Sequence, residues 1–225
     1  MKNFSSKRLK SDHMVRDIIR VTDRMLKYIQ VHQDSAQKER VSLLLEEVVG
    51  LLDKKVWCRC VSIDEFYSLF HAYALESRSI SNLLKGSMKV YLMVITLGQD
   101  IERRAKEYFG KNEVFNGYVT DRLGSFLVEE EVKRIDREIN RKCRDDGLVT
   151  THRYSPGYGD FSIKAQRGFF DLTKDTIPGL TISPGCLLSP EKTVSAIKGV
   201  IQPGTECRTP RPLPSMTGEG SPNSR

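Results

Sequence analysis

The segment RYSPGYGDFSI (153–163) decides how this chain is read. Its glycines permit close approach of backbone to backbone, and its proline fixes φ. A second segment of the same kind, LTISPGCLLSP (180–190), follows shortly after. Both lie between stretches with regular periodicity, so neither reads as a loose linker. Two shaped segments carrying Arg153, Tyr154 and Tyr158 predict a pocket lined by main chain, suited to recognising a small molecule more than to side-chain chemistry.

Outward from there, the flanking elements follow from apolar spacing. Toward the N-terminus lies the longest regular stretch, 113–142, where Val114, Phe115, Val119, Leu123, Phe126, Leu127, Val132, Ile135 and Ile139 recur at three or four. Gly117 and Gly124 in its first half mark places where a neighbour approaches closely. Its second half mixes acids and bases at helical spacing, as a solvated face with weak ion pairs does. Before it, KVYLMVITLG (89–98) is continuous and β-rich and predicts a buried strand. Thr96 and Gly98 lead from it into a helix, QDIERRAKEYFG, a junction found both at ligand edges and in ordinary architecture. Helical periodicity also covers 14–30, 35–52 and 64–84, and Cys58-x-Cys60 beside Trp57 reads as a local strand feature. Toward the C-terminus, 162–174 predicts a short amphipathic helix with Ser162 as its N-cap, and 193–202 a strand. The chain therefore divides into a flexible N-terminus (1–12), one α+β domain (13–202) whose N-terminal part is helical, and a Pro/Gly/Ser-rich disordered tail (203–225).

Composition excludes little beyond extremes. Net charge is +7, with 36 Lys and Arg interspersed among 29 Asp and Glu. Interleaved acids repel phosphate, so a nucleic-acid-binding role is disfavoured. The longest apolar run is VYLMVI (90–95), too short to cross a bilayer, and the N-terminus lacks an apolar signal core. The odd count of 5 cysteines at irregular spacing predicts free thiols and a cytoplasmic protein. No GxGxxG fingerprint or Walker loop occurs. A single intervening residue in Cys58-x-Cys60 and four dispersed histidines argue against a structural metal. Cys186 and His152, with Asp160 to orient the histidine, would form a nucleophile and base if they met, against the commoner reading of Cys186 as a buried inert thiol. Arg153 weighs more, because a guanidinium beside a backbone-lined turn holds a carboxylate in bidentate fashion. Tyr154 and Tyr158 offer flat faces and hydroxyls to an adenine or a sulfonium-bearing chain. The same residue types serve equally as a structural arginine and core tyrosines.

RYSPGYGDFSIKAQRGFFDLTKD and GLTISPGCLLSPEKTVSAIKGV together resemble the activation domain of vitamin B12-dependent methionine synthase, especially its stand-alone relatives. The Arg-x-x-Pro-Gly-Tyr run is the specific part. TLGQDIERRAKEYF (96–109) and DRLGSFLVEEEV (121–132) fit the family's preceding helices, and the N-terminal helices fit loosely. The resemblance implies an α+β fold with a twisted antiparallel sheet and flanking helices. It implies a shallow S-adenosylmethionine site made largely of backbone groups, with Arg153 at the methionine portion and Tyr154, Ser155, Gly157 and Tyr158 contributing from the same loop. Ser125 stands where the family carries an acidic ligand contact, and Asp121 and Glu129, one turn to either side, are expected to compensate. Past TVSAIKGV the family continues with a His-Pro segment and a ligand-facing tyrosine, whereas this chain enters its Pro-rich tail.

The implied role is reactivation of a corrinoid (cobalamin) methyltransferase by reductive methylation. The corrinoid is carried by a separate partner protein, since no modules for methyltetrahydrofolate, homocysteine or cobalamin are read in the chain, and the electron comes from an external donor, since no flavin or Fe–S signature is read either. Two other readings stay open: an adaptor for a corrinoid protein that has lost S-adenosylmethionine binding, and an independent small-molecule methyltransferase.

Overall fold

The computed structural model describes residues 23–30 and 35–204. The N-terminal segment 1–12, the first part of the helix expected over 14–30, and all but the start of the tail lie outside the described residues. Within them, helices α1 (Asp23–Ile29) and α2 (Ser35–Gly50) lead into strand β1 (Lys55–Ser62). Then come α3 (Ile63–Ala74), α4 (Arg78–Leu83), β2 (Ser87–Thr96), α5 (Asp100–Gly110) and the long α6 (Val114–Asp145). The C-terminal part holds β3 (Val149–Thr150), a 3₁₀ turn at Ile163–Ala165, α7 (Gln166–Thr173), a hairpin of β4 (Thr181–Ile182) and β5 (Leu188–Ser189), and β6 (Thr193–Ile201).

One antiparallel sheet of order β1-β2-β6-β3 organises the chain. β2 is central and covered on both faces, which is why its sequence is continuously apolar instead of alternating. Tyr91, Met93 and Ile95 face a core shared with α1, α2, α5 and α6, along with Ala196 and Val200 of β6. Val90, Leu92 and Val94 face a second core built on α3, α4 and α7, with Ile197 of β6. This is the expected α+β fold, a twisted antiparallel sheet flanked by helices. No helix among the described residues is long and apolar enough to cross a membrane.

Two expectations need correction. The single helix expected over 64–84 is two: α3 ends at Ala74, after a kink at Phe70 (φ −117°), and α4 restarts behind Ser77. Ser77 Oγ accepts from the Ile80 backbone N at 3.1 Å, a cap that competes with helix continuation. The charged half of α6 is also more than a solvated face. Arg134 does pair with Glu131 and Glu138 along the helix, but Glu131 is buried and Asp136 pairs with the buried Lys198 of β6 at 2.5 Å. Such charges are tolerated inside only when matched. The two glycines of α6 behave as read. A Cβ at Gly117 would stand 2.8 Å from the Phe109 ring, and one at Gly124 would stand 2.8 Å from Ile101 and 3.1 Å from Lys192 Cε.

Candidate functional site

The 153–161 segment is rigid because each part of it is tied down. Tyr154 exchanges two backbone hydrogen bonds with Ile197 of β6, at 2.9 and 2.8 Å. Beyond it the chain folds on itself: Gly157 N donates to Phe161 O at 2.8 Å and Phe161 N to Tyr158 O at 2.9 Å. Gly157 and Gly159 make this possible at φ +90° and +52°. A Cβ at Gly159 would lie 2.5 Å from Tyr154 Oη. The far end is anchored by Asp160, whose carboxylate accepts from Ser77 Oγ at 2.7 Å, Arg78 N at 2.8 Å and Ser79 N at 3.2 Å. These hydrogen bonds, from Ser77 and Ser79 above all, hold the Asp160 carboxyl down at about 2.

Across from the loop, Asp121, Ser125 and Glu129 recur every four residues and share one face of α6. Arg153 Nη2 donates to Glu129 Oε2 at 2.7 Å. Lys192, only 6% exposed just before β6, places Nζ 2.6 Å from Asp121 Oδ1 and 3.0 Å from Ser125 Oγ. Ser125 Oγ in turn donates to the Asp121 carbonyl at 3.2 Å. Two ion pairs thus lie along one helix face, each joining α6 to the segments that flank β6. Gly124 leaves room for the Lys192 stem.

The structure therefore brings Arg153, Asp121, Ser125 and Glu129 to one surface. Tyr158 is 42% exposed and packs against Tyr154, the neighbour of Arg153. Tyr154 is buried at 8% exposure with both main-chain groups bonded to Ile197, and it packs beside Tyr158 and Phe161, so it contributes support for Tyr158. Ser155 and Gly157 shape the turn through their backbones. Three neighbours escaped the sequence reading: Lys192, Arg122 and Tyr28. Tyr28 comes from α1, where the Arg122 guanidinium lies 4.8 Å over its ring and donates to its carbonyl at 2.9 Å. Burial pushes the Tyr28 hydroxyl pKa up; Arg122 opposes this, while Glu129, Asp121 and Tyr158 add to it. Only the apolar periodicity of 14–30 pointed to α1, and that signal concerns packing alone.

The alternative nucleophile does not assemble. Asp160 is committed to the N-terminus of α4, Cys186 sits at φ +63° in the Ser183–Leu187 turn, and no hydrogen bond joins either to His152 among the described residues. Burial, the largest cause, pushes the Cys58 thiol up to about 12, which leaves it a poor nucleophile. Among the described residues no group of three or more His, Cys, Asp or Glu is placed to hold a metal ion. Surface depressions occur on exposed turns of α5, around Glu102 and Lys106, and of α6, around Arg137 and Arg141. Each is lined almost wholly by one helix and gathers none of the loop residues.

No protein-family model and no curated relative matches the sequence. Among solved structures the chain is similar to the MetH reactivation domain bound to AdoHcy, with a TM-score of 0.54 and 11% identity, over 83% of this chain and 71% of that one. At this identity the likeness establishes a shared fold.

Proposed function

We propose that this chain is an S-adenosylmethionine-binding module that assists reductive methylation, and so reactivation, of a corrinoid methyltransferase. The observation that carries the reading is the Arg153–Glu129 pair, set at 2.7 Å between a rigid glycine loop and a helix face. An amino-acid head group bears a carboxylate and an ammonium side by side, and such a pair is complementary to both. Insertion of the head group exchanges one ion pair for two charge-assisted contacts. Ser155, Gly157 and Tyr158 present backbone and an exposed ring to the remainder of the ligand. The shared fold with a reactivation domain supports the same reading.

In this role the chain binds and orients. S-adenosylmethionine supplies the methyl group, a corrinoid on a separate protein supplies the reduced cobalt nucleophile, and an external donor supplies the electron. Arg153 fixes the carboxylate, Glu129 the ammonium, and the 155–159 turn holds the nucleoside side against solvent. No residue of the site needs to become a nucleophile or carry a proton to the reacting carbon.

Calorimetric titration of the purified protein with S-adenosylmethionine tests this. Saturable binding is expected, weakened at least about tenfold in Arg153→Ala, the scale of one charge-assisted contact. A folded wild-type protein that gives no binding heat sinks the reading. One feature favours the adaptor reading as a second: Glu129 and Asp121 are already neutralised by Arg153 and Lys192, so the face is self-satisfied. A stable complex with a corrinoid protein in the absence of S-adenosylmethionine binding would establish it.

A further inference from the structure

The helix face that carries Asp121 and Glu129 is flanked on one side by Arg122 and Phe126, one to three positions away along α6. Tyr28 of α1 covers this flank. Its ring meets Phe126 edge-on with centroids 5.4 Å apart, and Arg122 lies 4.8 Å over its centre. Arg122 also binds the Tyr28 carbonyl at 2.9 Å, so the ring is held at both its face and its backbone. Arg122 Nε is buried with no hydrogen-bond partner, a cost that is consistent with the guanidinium being fixed for this stacking. Met25, Leu26 and Ile29 anchor the same helix in the core. With the ring so clamped, the hydroxyl is the one polar group Tyr28 can offer. Phe126 and Arg122, which hold the ring, sit within one to three positions of Asp121 and Glu129 on α6, so Tyr28 borders that face. Burial raises the hydroxyl pKa first; Arg122 opposes this, and Glu129, Asp121 and Tyr158 raise it further.

We propose that Tyr28 is a further ligand-binding residue, whose hydroxyl oxygen accepts a hydrogen bond from the ligand's α-ammonium beside the Glu129 carboxylate. This rests on the reading of the site as one for S-adenosylmethionine and its relatives. The chemistry is that of the acceptor pair. An ammonium has three donors, and the Glu129 carboxylate by itself leaves some of them unmet. A neutral hydroxyl supplies the additional acceptor without adding charge to a surface where Arg153 pairs with Glu129 and Lys192 with Asp121. The consequence is that α1 forms a wall of the site as well as part of the core.

The test uses the full chain, the stable neutral ligand S-adenosylhomocysteine, and its analogue with hydrogen in place of the α-amino group. Both are titrated by calorimetry into wild type and Tyr28→Phe, which keeps the ring and its stacking. Wild type is expected to bind the parent ligand, and Tyr28→Phe to bind it about tenfold more weakly, with an unchanged melting temperature of the free protein. Loss of the amino group is expected to matter at least about threefold less in Tyr28→Phe than in wild type, the coupling that marks direct contact. Equal affinity in the two proteins, or an amino-group penalty identical in both, overturns the role of Tyr28 and leaves the site reading intact. A folded wild type that binds neither S-adenosylhomocysteine nor S-adenosylmethionine overturns both.

Discussion

Asp160 shows how a single residue sets the shape of the candidate site. Its sequence position suits a partner for His152, but in the structure it serves as a tether between the glycine loop and α4. Sequence could place it in the loop but not name its partner, because Ser77 lies 83 positions away. Its carboxyl is lowered from its ordinary 3.8 to about 2, first by Ser77 and then by Ser79. A group depressed in the folded state contributes stability that is fully present above its unfolded pKa and is lost as pH falls through its folded pKa. The melting-temperature advantage of wild type over Asp160→Asn should therefore be constant above about pH 5 and shrink between about pH 4 and pH 2. An advantage that does not change with pH in that window contradicts the tether. Gly159 makes a second residue-scale prediction. Its φ of +52° and the nearby Tyr154 hydroxyl leave no room for a Cβ, so Gly159→Ala should destabilise by about 1–3 kcal/mol in denaturant titration. A neutral result would mean the loop relaxes freely.

Among the elements, α6 carries most of the site and was the easiest to read. Its apolar positions recur so regularly that type and extent follow from spacing, and the structure shifts its ends by only a few residues. What spacing did not disclose is which of its charges are buried, because charged residues have no periodicity of their own beyond that of the apolar stripe. Asp136 looks like its neighbours in sequence, yet it alone meets Lys198, which is 2% exposed within the sheet. Burial lowers the Lys198 pKa, while Asp136 acts against that. Asp136→Ala should cost about 3 kcal/mol by leaving that ammonium unpaired, and the double change Asp136→Leu with Lys198→Met should recover most of the loss. Chemical denaturation of the three proteins decides this, and a double variant no better than the single one counts against the pair. The break between α3 and α4 was missed for a related reason. Apolar residues continue across it, and only the serine cap and the reach of Asp160 end the first helix.

At the scale of the molecule, α1 joins the core to the site. Met25, Leu26 and Ile29 are each at most 1% exposed, and burial of each such side chain contributes about 1.5–3 kcal/mol. Deletion of residues 1–34 should therefore lower the melting temperature by more than about 10 °C or prevent folding. A truncated protein of unchanged melting temperature would show that α1 is dispensable to the core and would remove the wall that Tyr28 provides.

Read alone, the sequence determined the α+β class, the central buried strand, the long helix and the shaped loop around Arg153. These depend on local chemistry: apolar period, glycine and proline conformations, and residue types that suit backbone-lined sites. It also named Arg153, Asp121, Ser125 and Glu129 as candidates, through a motif resemblance. Only the tertiary structure decided that Arg153 pairs with Glu129 and Lys192 with Asp121, that Asp160 is structural, and that Tyr28 stands beside them. Those pairings join segments from 24 to over 90 residues apart. No local propensity specifies such pairings, because they arise when the two sheet faces and their helices close around a common core.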